Sequence, residues 1–370
     1  MSHALAPDAA VIIPARNEEA RIGACLTALA NQKGRRFRTI LVINNTTDRT
    51  GAIARETAAR LGLDLTVLEC SLAPHEGVGT ARRIGCDHAL RALPDLRYLL
   101  TTDADCIVGP HWLTRNIAHL NEVEAVCGKI DPIAAEAHVL SGMDPQLTAL
   151  EGRYRTLVQE FYARHAPGCT DLAGTHGEAA GASLAFSAKA YLGVGGFAPI
   201  SCGEDRRIIR IMREKGCTVR HVDDVTVQAS CRLRGRATGG MSDALKARID
   251  GVNYLIDDCL PPADWLIRHA VNGKLGPWPM QVSARLRLWV RDLPRHIETL
   301  EICRNSGWAI PAPKAPAVTL PRFQPGSEAP EWGSALVPAN PRTRREIMSD
   351  GPMANQIQPV GTADPERSLK

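Results

Sequence analysis

The chain has 370 residues, of which 44% are hydrophobic and 23% charged, with a formal net charge of +4. That length buries a sizeable core in one large domain or two smaller ones. A weak positive bias with only 4% aromatics excludes the dense basic and aromatic surface of a nucleic-acid binder and suits an anionic small molecule such as a nucleotide. The 11 cysteines stand singly with no C-x-x-C pair, which excludes a zinc ribbon or redox dithiol and points to a reducing compartment. No window approaches the roughly 20 apolar residues of a membrane span, and "MSHALAPDAAVIIPA" lacks the basic start of a leader. The expectation is a cytoplasmic protein whose closest membrane association is peripheral contact at the cytoplasmic face.

In chain order, five short apolar runs come first: "AAVIIPA", "TILVIN", "LTVLEC", "RYLLTT" and "EAVCGKI". Helical patterns separate them over residues 19–30, 50–61, 79–93 and 110–121. The runs show no alternation between apolar and polar, so both faces are covered, as in a parallel sheet built from right-handed βαβ units. The fold class expected is α/β, doubly wound. After Asp131 the rhythm changes. A helical stretch covers 134–164, followed by the small-residue loop "APGCTDLAGTHGEAAG" and the strand-like "ASLAFS". The turn "GVGGF" and the helix "EDRRIIRIMREKG" lead to two strand candidates, "TVRHV" and "VTVQA", and then to "SCRLRGRATGG". From Met241 to about Arg304 the pattern is helical, with Pro294 expected to kink or break it. From Asn305 proline is dense, and the tail reads as extended or disordered. No internal repeat is visible.

Open α/β sheets bind ligands beyond the carboxyl ends of their strands, and a polar cluster follows each of the first four runs: "PARNEE", "NNTTDRT", "PHEGVGTARR" and "DADC". In a parallel sheet these share one edge. Helix N-termini there suit phosphate, and Arg82 and Arg83 are placed to meet phosphate or ribose. The pair Asp103 and Asp105 closes an apolar strand, where unpaired charge is expensive. Two carboxylates repel phosphate, but they bind it through a shared divalent cation, Mg²⁺ or Mn²⁺.

Taken together, "VIIPARNEEARIGACLTAL", "NNTTDRT", "DAD", "GASLAFSAKAYLGVGGF" and "GEDRRI" resemble a family 2 glycosyltransferase of the GT-A fold, over about residues 11–240. The resemblance implies a Rossmann-like, mostly parallel sheet with helices on both faces. It divides residues 1–240 into a nucleotide-binding half, 1–131, and an acceptor-binding half, 132–240. A helical extension, 241–304, and the Pro-rich tail, 305–370, follow. It implies a nucleotide-diphosphate-sugar donor, a divalent metal at Asp105 and Asp103, and inversion at the anomeric carbon. Asp103 would also reach the ribose or the sugar. Pro14, Ala15, Asn17 and Glu18 would line the nucleotide pocket with Arg82 nearby. Asp205 would be the general base, with Glu204 beside it. Arg232, Arg234 and Arg236 would add positive charge for the departing diphosphate.

One departure concerns the second run. The family often has an aspartate there to read the base, and this chain has Asn44 and Asn45, with Asp48 further on. Asparagine amides offer both donors and acceptors to a base, so uracil and guanine both stay open. The membrane spans and Q-x-x-R-W motif of processive synthases are missing, which favours a single-transfer enzyme. His176, in the Gly-rich loop beside Glu178, is the candidate for contact with an acceptor, itself a glycan, lipid or small molecule. Trp289 and its leucines read as core.

Bland readings stand beside these. Asp103 and Asp105 also fit a helix N-cap pair, Glu204 and Asp205 a dipole-stabilising first turn, and the "RLRGR" arginines a solvated face. Two further functions compete. A sugar nucleotidyltransferase would need a Gly-rich, Arg- and Lys-bearing loop where this chain has "PARNEE". A catalytically silent nucleotide-sugar-binding scaffold would use the Pro-rich tail as its partner element.

Overall fold

Strand β1 (Ala9–Ala15) is buried at every position, and its successive residues feed opposite cores. Val11 and Ile13 join one face with the helix residues Ile22, Leu26 and Leu29. Ala10 and Ile12 join the other with Ala81, Cys86 and Ala89. The continuous apolar run is thus two period-2 patterns overlaid, because both faces of the sheet are covered. The computed structural model describes residues 7–309 except 35, 74, 237, 238 and 252. The expected tail lies, from residue 310 on, outside the described residues.

Strand β1 pairs in parallel with β2 (Arg38–Asn44) and β4 (Tyr98–Thr101), and β2 pairs in parallel with β3 (Leu65–Cys70). The connecting helices are α1 (Ile22–Ala30), α2 (Thr50–Leu61) and α3 (Val78–Ala92). A Cβ at Gly85 of α3 would sit 2.6 Å from Ile12 Cγ2, so the absence of a side chain is what lets α3 lie close on the sheet. All four strands end at one edge, as the spacing of the polar clusters predicts.

The second half completes the sheet with β5 (Cys106–Val108), β6 (Ala125–Pro132), β7 (Leu184–Ser187) and β8 (Val219–Ala229). The order is β3-β2-β1-β4-β7-β6-β8-β5. Strand β7 runs antiparallel to both β4 and β6, and β5 antiparallel to β8, so the sheet is mixed but mostly parallel. The two strand candidates "TVRHV" and "VTVQA" form the single strand β8. Its pairing with β6 slips after Gly128–Val222 and resumes at Lys129–Thr226. The exposed Asp223 and Asp224 in that bulge are what separated the two candidates.

Helix α4 (Trp112–Leu120) lies between β5 and β6. The stretch expected to be helical over 134–164 is a 3-10 segment, Ala134–Gly142, followed by α5 (Pro145–His165). Asp144 separates them and caps α5 by accepting from Gln146 N and Leu147 N. Helices α6 (Ala188–Gly193) and α7 (Glu204–Glu214) precede β8. The later helical region is three helices, α8 (Met241–Asp250), α9 (Ala263–Val271) and α10 (Leu293–Asn305). Pro294 does not break a helix. It sits in the first turn of α10, where a missing N–H leaves no bond unmade. Tyr154, Leu157 and Phe161 of α5, Leu266 of α9, and Leu293 and Leu300 of α10 build a third core. Trp289, expected in the core, is 45% exposed. Among the described residues no helix is long and apolar enough to cross a membrane.

Ile12 is fully buried, so Ile12→Ala should destabilise the fold by about 2–5 kcal/mol, the range for deleting a large core side chain. A urea melt followed by far-UV circular dichroism measures it.

Candidate functional site

The turn between β4 and β5 carries the acidic pair. The amide of Cys106 donates to Asp103 O at 3.1 Å, which closes the turn and turns both carboxylates to the strand-end edge. Ligand atoms of Asp103, Asp105 and Cys106 lie within 4.8 Å of one another. Burial raises the proton affinity of both carboxyls, with Arg82 pulling Asp103 back and Arg232 pulling Asp105 back. Burial also pushes the Cys106 thiol well up, so it stays a protonated, soft group. The two carboxylates are the hard-oxygen groups here that could hold a cation such as Mn²⁺ or Mg²⁺.

Each acid of the pair already has an arginine. Arg82 of α3 is 2% exposed and donates through one guanidinium nitrogen to Asp103 Oδ1 and through the other to Glu204 Oε1. A Cβ at Gly181 would occupy the space of that guanidinium, so glycine is the residue that admits it. Burial opposes the charge on Arg82, and Asp103, Glu204 and Asp205 more than offset it. Arg82 was expected to face phosphate or ribose. The structure places it beneath the site, because three carboxylates surround it. Arg83 turns away and donates to the carbonyls of Gly195 and Phe197 at 3.1 and 2.9 Å.

The adjacent acids of α7 separate in role through helix geometry. Glu204 is 1% exposed and points inward to Arg82, and burial raises its proton affinity. Asp205 is only partly buried. Its Oδ2 accepts from Gly181 N at 2.9 Å and its Oδ1 from Arg206 N at 2.7 Å. These bonds fix an otherwise accessible carboxylate on the rim shared with Asp103.

The loop after β1 is held by its neighbours. Pro14 and Ala15 are buried at the strand end. Asn17 has φ 53°, accepts from Thr47 N at 2.8 Å through its side chain, and its carbonyl accepts from Arg236 Nη2 at 2.7 Å. Glu18 receives both terminal nitrogens of Arg232, at 2.7 and 2.6 Å. Asp48 accepts from Glu19 N at 3.0 Å and Thr50 N at 2.9 Å, so it braces the start of α2. The Asn45 amide is saturated by the backbone of Leu72, donating at 2.9 Å and accepting at 2.8 Å. Of the two asparagines expected to read a base, Asn44 is therefore the one not already spent on the β3 loop. Arg234 is exposed.

On the opposite side, His176 Nδ1 accepts from Glu178 N at 3.0 Å, and its ring meets His221 edge-on with centroids 5.4 Å apart. Burial, and then His221, push its imidazole down to about 4. His221 Nδ1 lies 2.6 Å from Asp171, which also accepts from Arg213 at 2.7 and 2.9 Å. Burial raises the Glu178 carboxyl against the pull of Arg155. Helix and loop residues absent from the sequence reading complete this side. Arg206 donates to Asp257 and Asp258, both at 2.7 Å, and Trp278 Nε1 donates to Gly177 O at 2.9 Å. These partners come from segments 50 to 100 residues away, and no local spacing signals them.

Residues 10–170 match the model of glycosyl transferase family 2. Three solved structures are similar to about two thirds to four fifths of the chain. The S. aureus protein TarS, residues 1–349 in complex with UDP-GlcNAc, is 16% identical, with 80% of this chain and 73% of that chain covered and a TM-score of 0.45. The Pyrobaculum calidifontis mannosyltransferase PcManGT, with GDP-Man and Mn²⁺, is 17% identical over 82% and 76% of the two chains, at 0.46. Mycobacterium tuberculosis glucosyl-3-phosphoglycerate synthase, with Mn²⁺, UDP and phosphoglyceric acid, is 16% identical over 68% and 83%, at 0.41. No curated protein matches the sequence.

Arg82→Gln leaves Glu204 and Asp103 without their buried cation, and it should lower stability by about 3–5 kcal/mol, as breaking a buried ion pair does. Calorimetric unfolding reads this directly. The His176 imidazole is depressed from 6.5 to about 4 in the folded chain, so between those values the unfolded chain holds the extra proton. Stability from this group is full above pH 6.5 and is lost as pH falls towards 4. His176→Gln should flatten that part of a chemical-denaturation series across pH.

Proposed function

We propose that the protein transfers a sugar from a nucleoside-diphosphate-sugar donor to an acceptor hydroxyl, with inversion and with Asp205 as general base. The observation that carries this reading is the Asp103–Arg82–Glu204 bridge. It ties the acidic turn, where a donor diphosphate would be met, to the first turn of α7, where Asp205 is fixed by Gly181 and Arg206.

In this reading the acceptor oxygen attacks the anomeric carbon, its proton passes to the Asp205 carboxylate, and the bond from that carbon to the diphosphate oxygen breaks. One displacement gives inversion. Asp105 and Asp103 are the residues that would hold a divalent cation, Mn²⁺ or Mg²⁺, whose chemistry is to neutralise charge on the departing diphosphate. Asn44, Asn17 and the rim of β1 suit the nucleoside, and residues 1–131 form the donor side. Glu178, with Arg155 and Arg206 of the second half, suits a hydroxylated acceptor through balanced charge. Glu204 acts through Arg82 and positions the acids without meeting substrate. The setting proposed is cytoplasmic.

Asp205→Asn should reduce turnover by about 10²–10⁴-fold, the range for loss of a general base. Turnover is read as UDP or GDP released from a panel of UDP- and GDP-sugars. Nucleotide affinity, measured by calorimetry, should stay within about threefold because Asp205 contacts no phosphate in this reading. Turnover equal to the parent's would remove Asp205 from the role. Asp105→Ala should abolish the Mn²⁺-dependent part of nucleotide binding in the same calorimeter.

A further inference from the structure

The described residues after β8 pass the acidic turn, with one anchor at the strand end and another at Gly239. At the first, Glu136 accepts from Ser230 Oγ and Cys231 N, both at 2.9 Å, and from Arg21 Nη1 at 2.6 Å. At the second, Gly239 N donates to Asp243 at 2.7 Å, in the first turn of α8. Between these anchors, among the described residues, guanidinium groups reach across the site. Arg236 donates to Asn17 O. Arg232 donates to both oxygens of Glu18, and its Nη2 also stands 3.0 Å from Asp105 Oδ2.

The sequence reading assigned Arg232 to the diphosphate and Asp105 to a metal. The structure joins them to each other. Asp105 is a partly buried acid, and Arg232 is the cation that meets it. A guanidinium and a divalent ion are both positive, and one partly buried carboxylate oxygen does not serve both at hydrogen-bonding distance without strong repulsion. We propose that Arg232 is the resident counter-ion of Asp105, and that it and a divalent cation exclude one another at that carboxylate. Residues 231–236 are then a latch: when a metal takes Asp105, Arg232 withdraws, and these residues loosen from the β1 loop. The inference deepens the metal-dependent reading above and rests on it. It concerns the order of events at the site, since by linkage whatever loosens the latch tightens the metal and the reverse.

Binding of Mn²⁺ alone to the full chain, followed by the electron paramagnetic resonance of free Mn²⁺, tests this. Arg232→Gln removes the competing charge and should bind Mn²⁺ at least tenfold more tightly than the parent, while Arg232→Lys, which keeps a cation, should stay near the parent. If Arg232 only shaped the acids, its loss would loosen Mn²⁺, and equal or weaker binding in Arg232→Gln overturns the proposal. Amide exchange in the parent gives an independent reading that needs no variant. Residues 232–236 should exchange faster when Mn²⁺ is added without nucleotide, and unchanged or slower exchange overturns the latch. UDP titrated with and without Mn²⁺ separates the two levels. UDP binding that needs Mn²⁺ while Arg232→Gln gains no affinity sinks the latch alone. A parent and an Arg232→Gln variant that both ignore Mn²⁺ sink the metal-dependent reading and the latch with it.

Discussion

The organising interaction is a guanidinium buried between two acids. Arg82 reaches from α3 to Asp103 on the strand-end turn and to Glu204 at the head of α7, and a glycine across from it leaves the room. Removing a charge from water is costly unless partners replace the water. Here the partners come from elements 21 and 122 residues away, so satisfying one side chain fixes the relation between the two halves of the sheet. That relation sets where Asp205 stands relative to the acidic turn. The electrostatics of the buried layer thereby define the geometry of the exposed one.

Around that link the site is a balance of opposite charges more than a positive pocket. Asp105 has Arg232, Glu18 has Arg232, Asp257 and Asp258 have Arg206, and Asp171 has Arg213. A net charge of +4 over 370 residues hides this density, because the opposing charges cancel locally. Arginine suits the task through its planar fork, which meets two carboxylate oxygens at once, as Arg232 does at Glu18.

Much of the first half was legible because its signals are local. The runs at β1 to β4 and the helices between them follow from apolar continuity and from spacing, and the polar clusters sit at one edge because parallel strands end together. The expected family was likewise carried by short ordered motifs. What escaped was non-local. The insertion of β7 between β4 and β6 is decided by pairing across more than 50 residues. Asp223 and Asp224 divided two strand candidates and are a bulge within β8, because β6 accommodates the extra residues on its partner strand. Arg82 looked like a phosphate ligand because a helix start after a strand offers that role, and only the placement of Glu204 reveals that it is already engaged. Asn45 gave no sign that the Leu72 backbone would claim its amide.

Helix α5 links the middle of the chain to its later helices. At 21 residues it is the longest helix described. One flank lies in the third core beside α9 and α10, and Arg155 on it stands 4.0 Å from Asp257, which Arg206 also holds. The surface facing Asp205 is therefore lined in part by residues that follow the family segment, 10–170. Changes confined to the later loops can reshape what approaches that carboxylate while the first three strands keep their register. A lineage of such proteins has a physical route to a remodelled rim around Asp205, because the acidic turn and the residues that border that rim are encoded in separate stretches of chain.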